Sequence, residues 1–241
     1  MQETDPDLEQ TMDPKVAEAM SKLTPDDLVA KYRTDMGIDL PEMPSHKVLH
    51  VLDWNSMKDR LCLKVLASDV TEIDATSDNT REFSAFMCNT MYANNGIGLA
   101  ASQVDVPLRM FIMDVTQDKG FGKCPRVIIN PEIVKMENKV VTTEGCLSVP
   151  GLPVDIARWN DITIKCKDLN WTDMEYDFNG LEAHAVQHEM DHLIGQCIVD
   201  HLSPLMRDMY ARKVQKIKRQ AKAIAKQMHK DGVMPEGGFK V

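Results

Sequence analysis

Gln187-His188-Glu189-Met190-Asp191-His192 carries two histidines four residues apart with a glutamate beside the first. On a helix, residues at that spacing lie on one face, with Cβ atoms ~6 Å apart. His188 and His192 are therefore positioned to offer two imidazole nitrogens to one metal ion. Each residue turns a helix by ~100°, so Glu189 stands beside that face rather than on it. A general base belongs there.

A metal acting as a Lewis acid needs three protein ligands and one position left for water. One protease type takes its third histidine six residues after the second, and that position here is Ile198. Another takes a downstream glutamate, and the only one after Glu189 is Glu236, in a Gly-rich tail. The remaining candidates are Cys146, Cys197, Asp200 and His201. Cys146 is distinguished by its setting, Glu144-Gly145-Cys146-Leu147-Ser148-Val149-Pro150-Gly151. Gly145 frees the backbone beside the thiol, and Pro150-Gly151 is expected to end the segment in a turn.

The chain has 241 residues, 43% hydrophobic and 27% charged, the composition of a soluble globular domain with appendages. A net charge of −9 argues against nonspecific nucleic-acid binding by the chain as a whole. Six cysteines without a Cys-x-x-Cys pair suit a reducing compartment. No apolar run reaches the ~20 residues of a membrane span. The acidic N-terminus fits neither a secretory signal nor an Arg-rich transit peptide. The expected location is cytoplasmic, with no membrane partner.

Three segments follow: an acidic helical extension and linker (1–60), a catalytic domain (61–202) and a basic C-terminal helix and tail (203–241). Residues 1–45 hold eleven acidic and four basic residues. Asp13-Pro14 and Thr24-Pro25-Asp26-Asp27 each mark a helix start. This extension reads as an arm packed on the domain, with a dimer contact or a lid as the active alternatives. Residues 61–73 read as an initial strand or extended arm. Phe83, Phe86, Met87 and Met91 give residues 79–94 one apolar helical face. Asn94-Asn95-Gly96 stops that helix and opens Gly96-Ile97-Gly98-Leu99-Ala100-Ala101-Ser102-Gln103. Its glycines admit close approach of a ligand to backbone, and Gln103 brings an uncharged amide donor.

Short runs at 108–114, 126–130, 139–143, 161–168 and 174–178 read as strands. Asn179-Gly180 leads into a metal-binding helix from Leu181 to Ile194, closed by Gly195. The expected fold is α+β, with antiparallel β-sheets packed around that central helix. Ser203-Pro204 then starts a last amphipathic helix. From Arg207 to Lys230 it carries nine Lys or Arg against Asp208 alone, a local charge of +8. Such a face meets an anion, either an RNA or the chain's own acidic arm.

Three blocks, Gly96 to Gln103, Glu144 to Ser148 and Gln187 to Leu193, together resemble the peptide deformylases, over roughly residues 61–205. The resemblance selects Cys146 as the third ligand beside His188 and His192. It implies one divalent ion per chain, Fe2+ first, with Zn2+, Ni2+ or Co2+ accepted. It implies release of formate from N-formylmethionyl nascent peptides, Glu189 moving the proton and Gln103 with the Leu147 N–H stabilising the oxyanion. Ile97, Leu147, Leu181 and Ala185 are expected to wall the methionine side chain, while Gly98 and Gly145 offer backbone to the peptide. Glu144 is expected to orient the site or hydrogen-bond the bound chain. Ser102 replaces a frequent proline of the family. His184 stands where relatives often carry arginine and reads as a neighbour of the site, not a fourth ligand. The other five cysteines read as buried or neutral. A metallopeptidase of another class and a ribosome-associated module with a silent site are the competing readings.

Overall fold

The structure, a computed structural model, describes residues 47–116 and 124–230. The helix starts expected at Asp13 and Thr24 lie outside the described residues. Helix α1 is Met57–Cys62, α2 Glu72–Ala75 and α3 Asp78–Ala93. Strands β1 (Gly98–Ala100), β2 (Met110–Met113), β3 (Arg126–Cys146), β4 (Val149–Lys167) and β5 (Asp173–Asn179) follow, then α4 (Gly180–Leu193) and α5 (Pro204–Lys230). No helix among the described residues is long and apolar enough to cross a membrane.

All five strands form one antiparallel sheet in sequence order. The fold is α+β as expected, with a single continuous sheet. Strand β2 shows why the sheet needs two helices. Phe111 and Met113 face one core with Ala183, Val186 and Leu193 of α4, whereas Met110 and Ile112 face another with Met87 and Met91 of α3. Side chains alternate across a strand, so a run apolar at every position must be covered on both faces. A third core joins Cys146, Val149 and Ile156 of the β3–β4 hairpin to Leu52, Ile198 and Tyr210.

Three sequence readings change in form. Residues 61–73 are not a strand. Ser56 and Thr71 each accept a backbone N–H and start short helices, leaving only a bridge between Ser68 and Leu108. The runs 126–130 and 139–143 are one strand, interrupted by a bulge at Asn130-Pro131 and a second register shift at Val134 rather than by a turn. Asn130 takes φ 49° there, and a bulge tolerates a proline that cannot donate to the ladder. Pro150-Gly151 does not end the Cys146 segment. Cys146 pairs with Val149 across the two-residue turn Leu147-Ser148, and Pro150 and Gly151 already belong to β4.

Candidate metal centre

Helix α4 begins at Asn179, with Gly180 at φ 54°, and buries Gln187, His188, Glu189 and His192 against the sheet. Gln187 fixes its rotation. The amide oxygen accepts the Trp159 N–H (2.9 Å) and the amide nitrogen donates to the Trp159 carbonyl (2.7 Å), so one side chain completes a strand-like pairing between α4 and β4. With Gln187 turned to β4, His188 and His192 face the hairpin turn that carries Cys146.

One ligand atom from each of Cys146, His188 and His192 lies within 4.8 Å of the other two, the only such grouping among the described residues. Cys146 Sγ is 3.3 Å from His192 Nε2. Ligands ~2.0–2.3 Å from a tetrahedral ion stand roughly 3.3–3.8 Å apart, so this spacing fits a divalent metal. The far nitrogens are engaged. His188 Nδ1 is 2.9 Å from Glu144 Oε2, and His192 Nδ1 lies 3.7 Å from Cys197 Sγ. Each imidazole therefore has Nε2 left for the ion, held by an outer partner that sets its orientation. The metal site is built from these three residues.

Glu144 owes its position to Arg158, which sequence reading missed. Nε and Nη2 of Arg158 grip both Glu144 oxygens at 2.8 and 2.9 Å, and Nη1 reaches Asp191 Oδ2 at 2.8 Å. Arg158 is 5% exposed. Burial alone would push the Glu144 carboxyl up, but hydrogen bonds from His188 and Arg158 outweigh it and hold the pKa at about 2. A signal existed in the sequence. Val154, Ile156 and Arg158 share one strand parity, and a charge on a buried parity asks for a partner.

Gln103 sits in a short 3-10 turn after β1. Its oxygen accepts the Ala100 N–H at 2.9 Å, which turns the amide nitrogen toward Ser148 Oγ (3.2 Å) and Cys146 Sγ (3.7 Å). Ser102 donates to the His192 carbonyl at 3.1 Å, tying this turn to the end of α4. Upstream, the Leu52 N–H donates to the Gln103 carbonyl and the Trp54 N–H to the Ser148 carbonyl. The chain before α1 thus braces both loops of the site.

Glu189 is 4% exposed, and its Oε2 has no hydrogen-bond partner among the described residues. Burial raises its pKa to about 7, against the opposing charge of His188. A carboxyl group held near neutrality beside a metal site is suited to take up and release a proton. Around it lies a cavity of about 410 Å³. Ile97, Gly98, Gln103, Glu144, Gly145, Cys146, Leu147, Leu181, Ala185, His188 and Glu189 all line it. Of the expected walls, Ala185 is buried, whereas Ile97 and Leu181 are more than a third exposed and form the rim. His184 lines the same cavity and is not one of the three clustered metal-binding residues.

A family model described as polypeptide deformylase matches residues 52–208. A peptide deformylase of Xylella fastidiosa (strain M12) is 44% identical over 162 residues, 67% of this chain and 92% of that protein. One of Stenotrophomonas maltophilia (strain K279a) is 42% identical over 154 residues, 64% of this chain and 89% of that protein. Among solved structures, a peptide deformylase from Legionella pneumophila superposes with a TM-score of 0.63 at 37% identity, covering 73% of this chain and 98% of that one. The Ehrlichia chaffeensis peptide deformylase in complex with actinonin gives 0.63 at 35% identity, covering 72% and 99%.

Proposed function

This chain belongs to the peptide deformylase family and has its activity, EC 3.5.1.88, and from that premise we propose how its own residues divide the work. The substrate is a formylated nascent peptide, with N-formylmethionine at its start. The work falls to the segment 61–202. Cys146, His188 and His192 hold one divalent ion, Fe2+ by preference with Zn2+, Ni2+ or Co2+ as substitutes; a thiolate and two imidazoles suit any of these. Such an ion polarises a carbonyl and lowers the pKa of water from ~15.7 toward ~7.

Glu189 takes the proton from the attacking water and returns it to the amine as the C–N bond of the formamide breaks. Its uncommitted Oε2 and raised pKa support both directions of transfer. Charge accumulates on the formyl oxygen at the tetrahedral stage. The Gln103 amide and the backbone N–H of Leu147 receive it in this reading, which the turn of the Gln103 amide toward Cys146 by the Ala100 N–H supports. Losing one such donor commonly costs ~10²–10³ in rate. Ile97, Leu147, Leu181 and Ala185 hold the methionine side chain, and Gly98 and Gly145 leave room for the peptide backbone. Glu144 serves as the support of His188, the role its contacts favour.

The observation that carries this assignment is the convergence of one sulfur from the β3–β4 turn with two imidazoles from α4, beside a buried carboxylate whose second oxygen is uncommitted. Glu189→Ala should retain stoichiometric metal and lose formate release from formyl-Met-Ala-Ser. Full turnover in that variant would refute the role of Glu189. Metal analysis after anaerobic purification decides between Fe2+ and the other ions.

The exposed basic face of α5 supports a second reading, contact with ribosomal RNA by a cytoplasmic enzyme that meets its substrates as they emerge. Lys222→Glu with Lys226→Glu should weaken co-sedimentation with ribosomes and leave turnover of short formyl peptides unchanged. Unaltered co-sedimentation removes the RNA role.

A further inference from the structure

Helix α5 is only half accommodated by the domain. At its root Tyr210 is buried and Val214 packs on the third core. The same stripe continues to Ile217 and Ile224, which are 53% and 56% exposed. These four positions are spaced by four, three and seven residues and so share one helical face. Beside the root is a cleft of about 340 Å³ with Trp54 and Val214 among its walls and Arg60, Arg207 and Lys218 at its edges. To one side of the stripe, Lys213 and Lys216 have no ion-pair partner among the described residues. An apolar stripe flanked by uncompensated cations fits a partner with the opposite pattern, apolar residues flanked by acids.

The chain contains such a partner. Residues 1–45 carry a net charge of 4 − 11 = −7. Within them Val16, Met20 and Leu23 fall four and three residues apart, with Asp13 three residues before Val16 and Asp26 and Asp27 three and four residues after Leu23. The helix starts read at Asp13 and Thr24 would set these on one face. The described chain runs to α5 from the same end: Asp53 pairs with Lys218 at 3.0 Å and Asn55 donates to Tyr210. From Leu23 to Asp53, thirty residues span at most ~100 Å, whereas a 27-residue helix is ~40 Å long. Every part of α5 is within reach, and two segments joined in one chain meet at a raised effective concentration.

We propose that the acidic segment 13–32 docks on the apolar and basic face of α5 of its own chain. Val16, Met20 and Leu23 cover Ile217 and the cleft beside Trp54, and Asp13, Asp26 and Asp27 face Lys213 and Lys216. The terminal turns of α5 beyond this contact keep their positive charge for other anions.

The test uses the full-length chain, mixed as equal parts of 15N-labelled and unlabelled protein, with zero-length carbodiimide coupling of carboxylates to amines. Mass spectrometry should find amide links from Asp13, Asp26 or Asp27 to Lys213 or Lys216 within chains of a single label. Links of mixed label mean that a second copy supplies the acids, and links confined to Asp53 mean that the arm does not dock; either overturns the proposal. Ile217→Asp provides the second measurement, since Ile217 is remote from the site and deformylation should be unchanged. That substitution should speed amide hydrogen exchange across residues 13–32 by tenfold or more. Identical exchange in the two proteins also overturns it.

Discussion

A β-carbon placed on Gly98 would overlap Oε1 of Glu189. No side chain is compatible with Glu189 where it lies. The clash is with the end of a side chain, not with backbone, so the carboxylate would move and the fold would stay. Gly98→Ala is therefore expected to lower kcat/KM for a formyl tripeptide by at least ~10²-fold, the usual worth of a positioned proton carrier, while the thermal midpoint changes by only a few degrees. A fall in stability with normal turnover per folded molecule would mean that Gly98 is needed for backbone reasons instead.

Arg158 offers a separable test of how the metal ligands are held. It pairs with both Glu144 and Asp191 from a buried position. Breaking a buried ion pair by removing one partner costs about 3–5 kcal/mol, because the remaining charge is stranded. Arg158→Lys keeps the charge but loses the two-pronged grip on Glu144, so His188 is less firmly oriented. Metal affinity should fall about 10–100-fold with a smaller loss of stability. Competition with a chromogenic chelator measures this, and wild-type affinity in the lysine variant would show that the grip does not reach the metal site.

The sequence exposed those parts of the site that depend on local spacing. His188 and His192 are four residues apart, and the helix alone brings them together. Cys146 could be proposed from its Gly-flanked setting, but only the resemblance selected it over Cys197, Asp200 and His201, because its approach to α4 depends on a hairpin with distant register. Arg158 is not legible in the sequence, and Gln187 opens the motif stretch without a role that spacing reveals, for the same reason. Their partners lie on other elements, and only the buried parity of β4 points to Arg158. The strand boundaries failed at Asn130-Pro131 and Pro150-Gly151, where turn-forming residues serve a bulge and the start of a strand. A proline marks a missing donor, and only the sheet decides whether the chain turns there.

The bulge itself can be tested. Asn130 holds positive φ, accepts the Val70 N–H at 2.9 Å and donates to the Val70 carbonyl at 2.8 Å. Asn130→Gly keeps the conformation and loses both bonds, whereas Asn130→Ala loses the bonds and adds backbone strain. At ~1 kcal/mol per hydrogen bond and ~1–2 kcal/mol for the left-handed residue, the alanine variant should be the less stable of the two by about 1–2 kcal/mol in urea unfolding. Deformylation per folded molecule should be equal in both, since Asn130 does not line the cavity. Equal stabilities would show that the strain is relieved by a shift of β3.

Removing the metal should loosen the protein without unravelling α4. The helix is held by Gln187 on Trp159, by Ser102 on the His192 carbonyl and by apolar contacts with the sheet. None of these involves the ion. An ion held by Cys146, His188 and His192 would join that helix to the end of β3, and so would bind the folded chain far better than the unfolded one. Metal at a thousandfold excess over its dissociation constant stabilises by about 4 kcal/mol, and each kcal/mol moves the midpoint of a domain this size by ~2–4 °C. Chelation should therefore lower the thermal midpoint by roughly 8–16 °C while far-ultraviolet circular dichroism at 20 °C is unchanged. Cys146→Ala should unfold at the same temperature with and without chelator, because two imidazoles alone hold the ion too weakly. A chelator-sensitive midpoint in that variant would place the stabilising ion on other ligands, and the convergence of Cys146 with α4 would then have no part in metal binding.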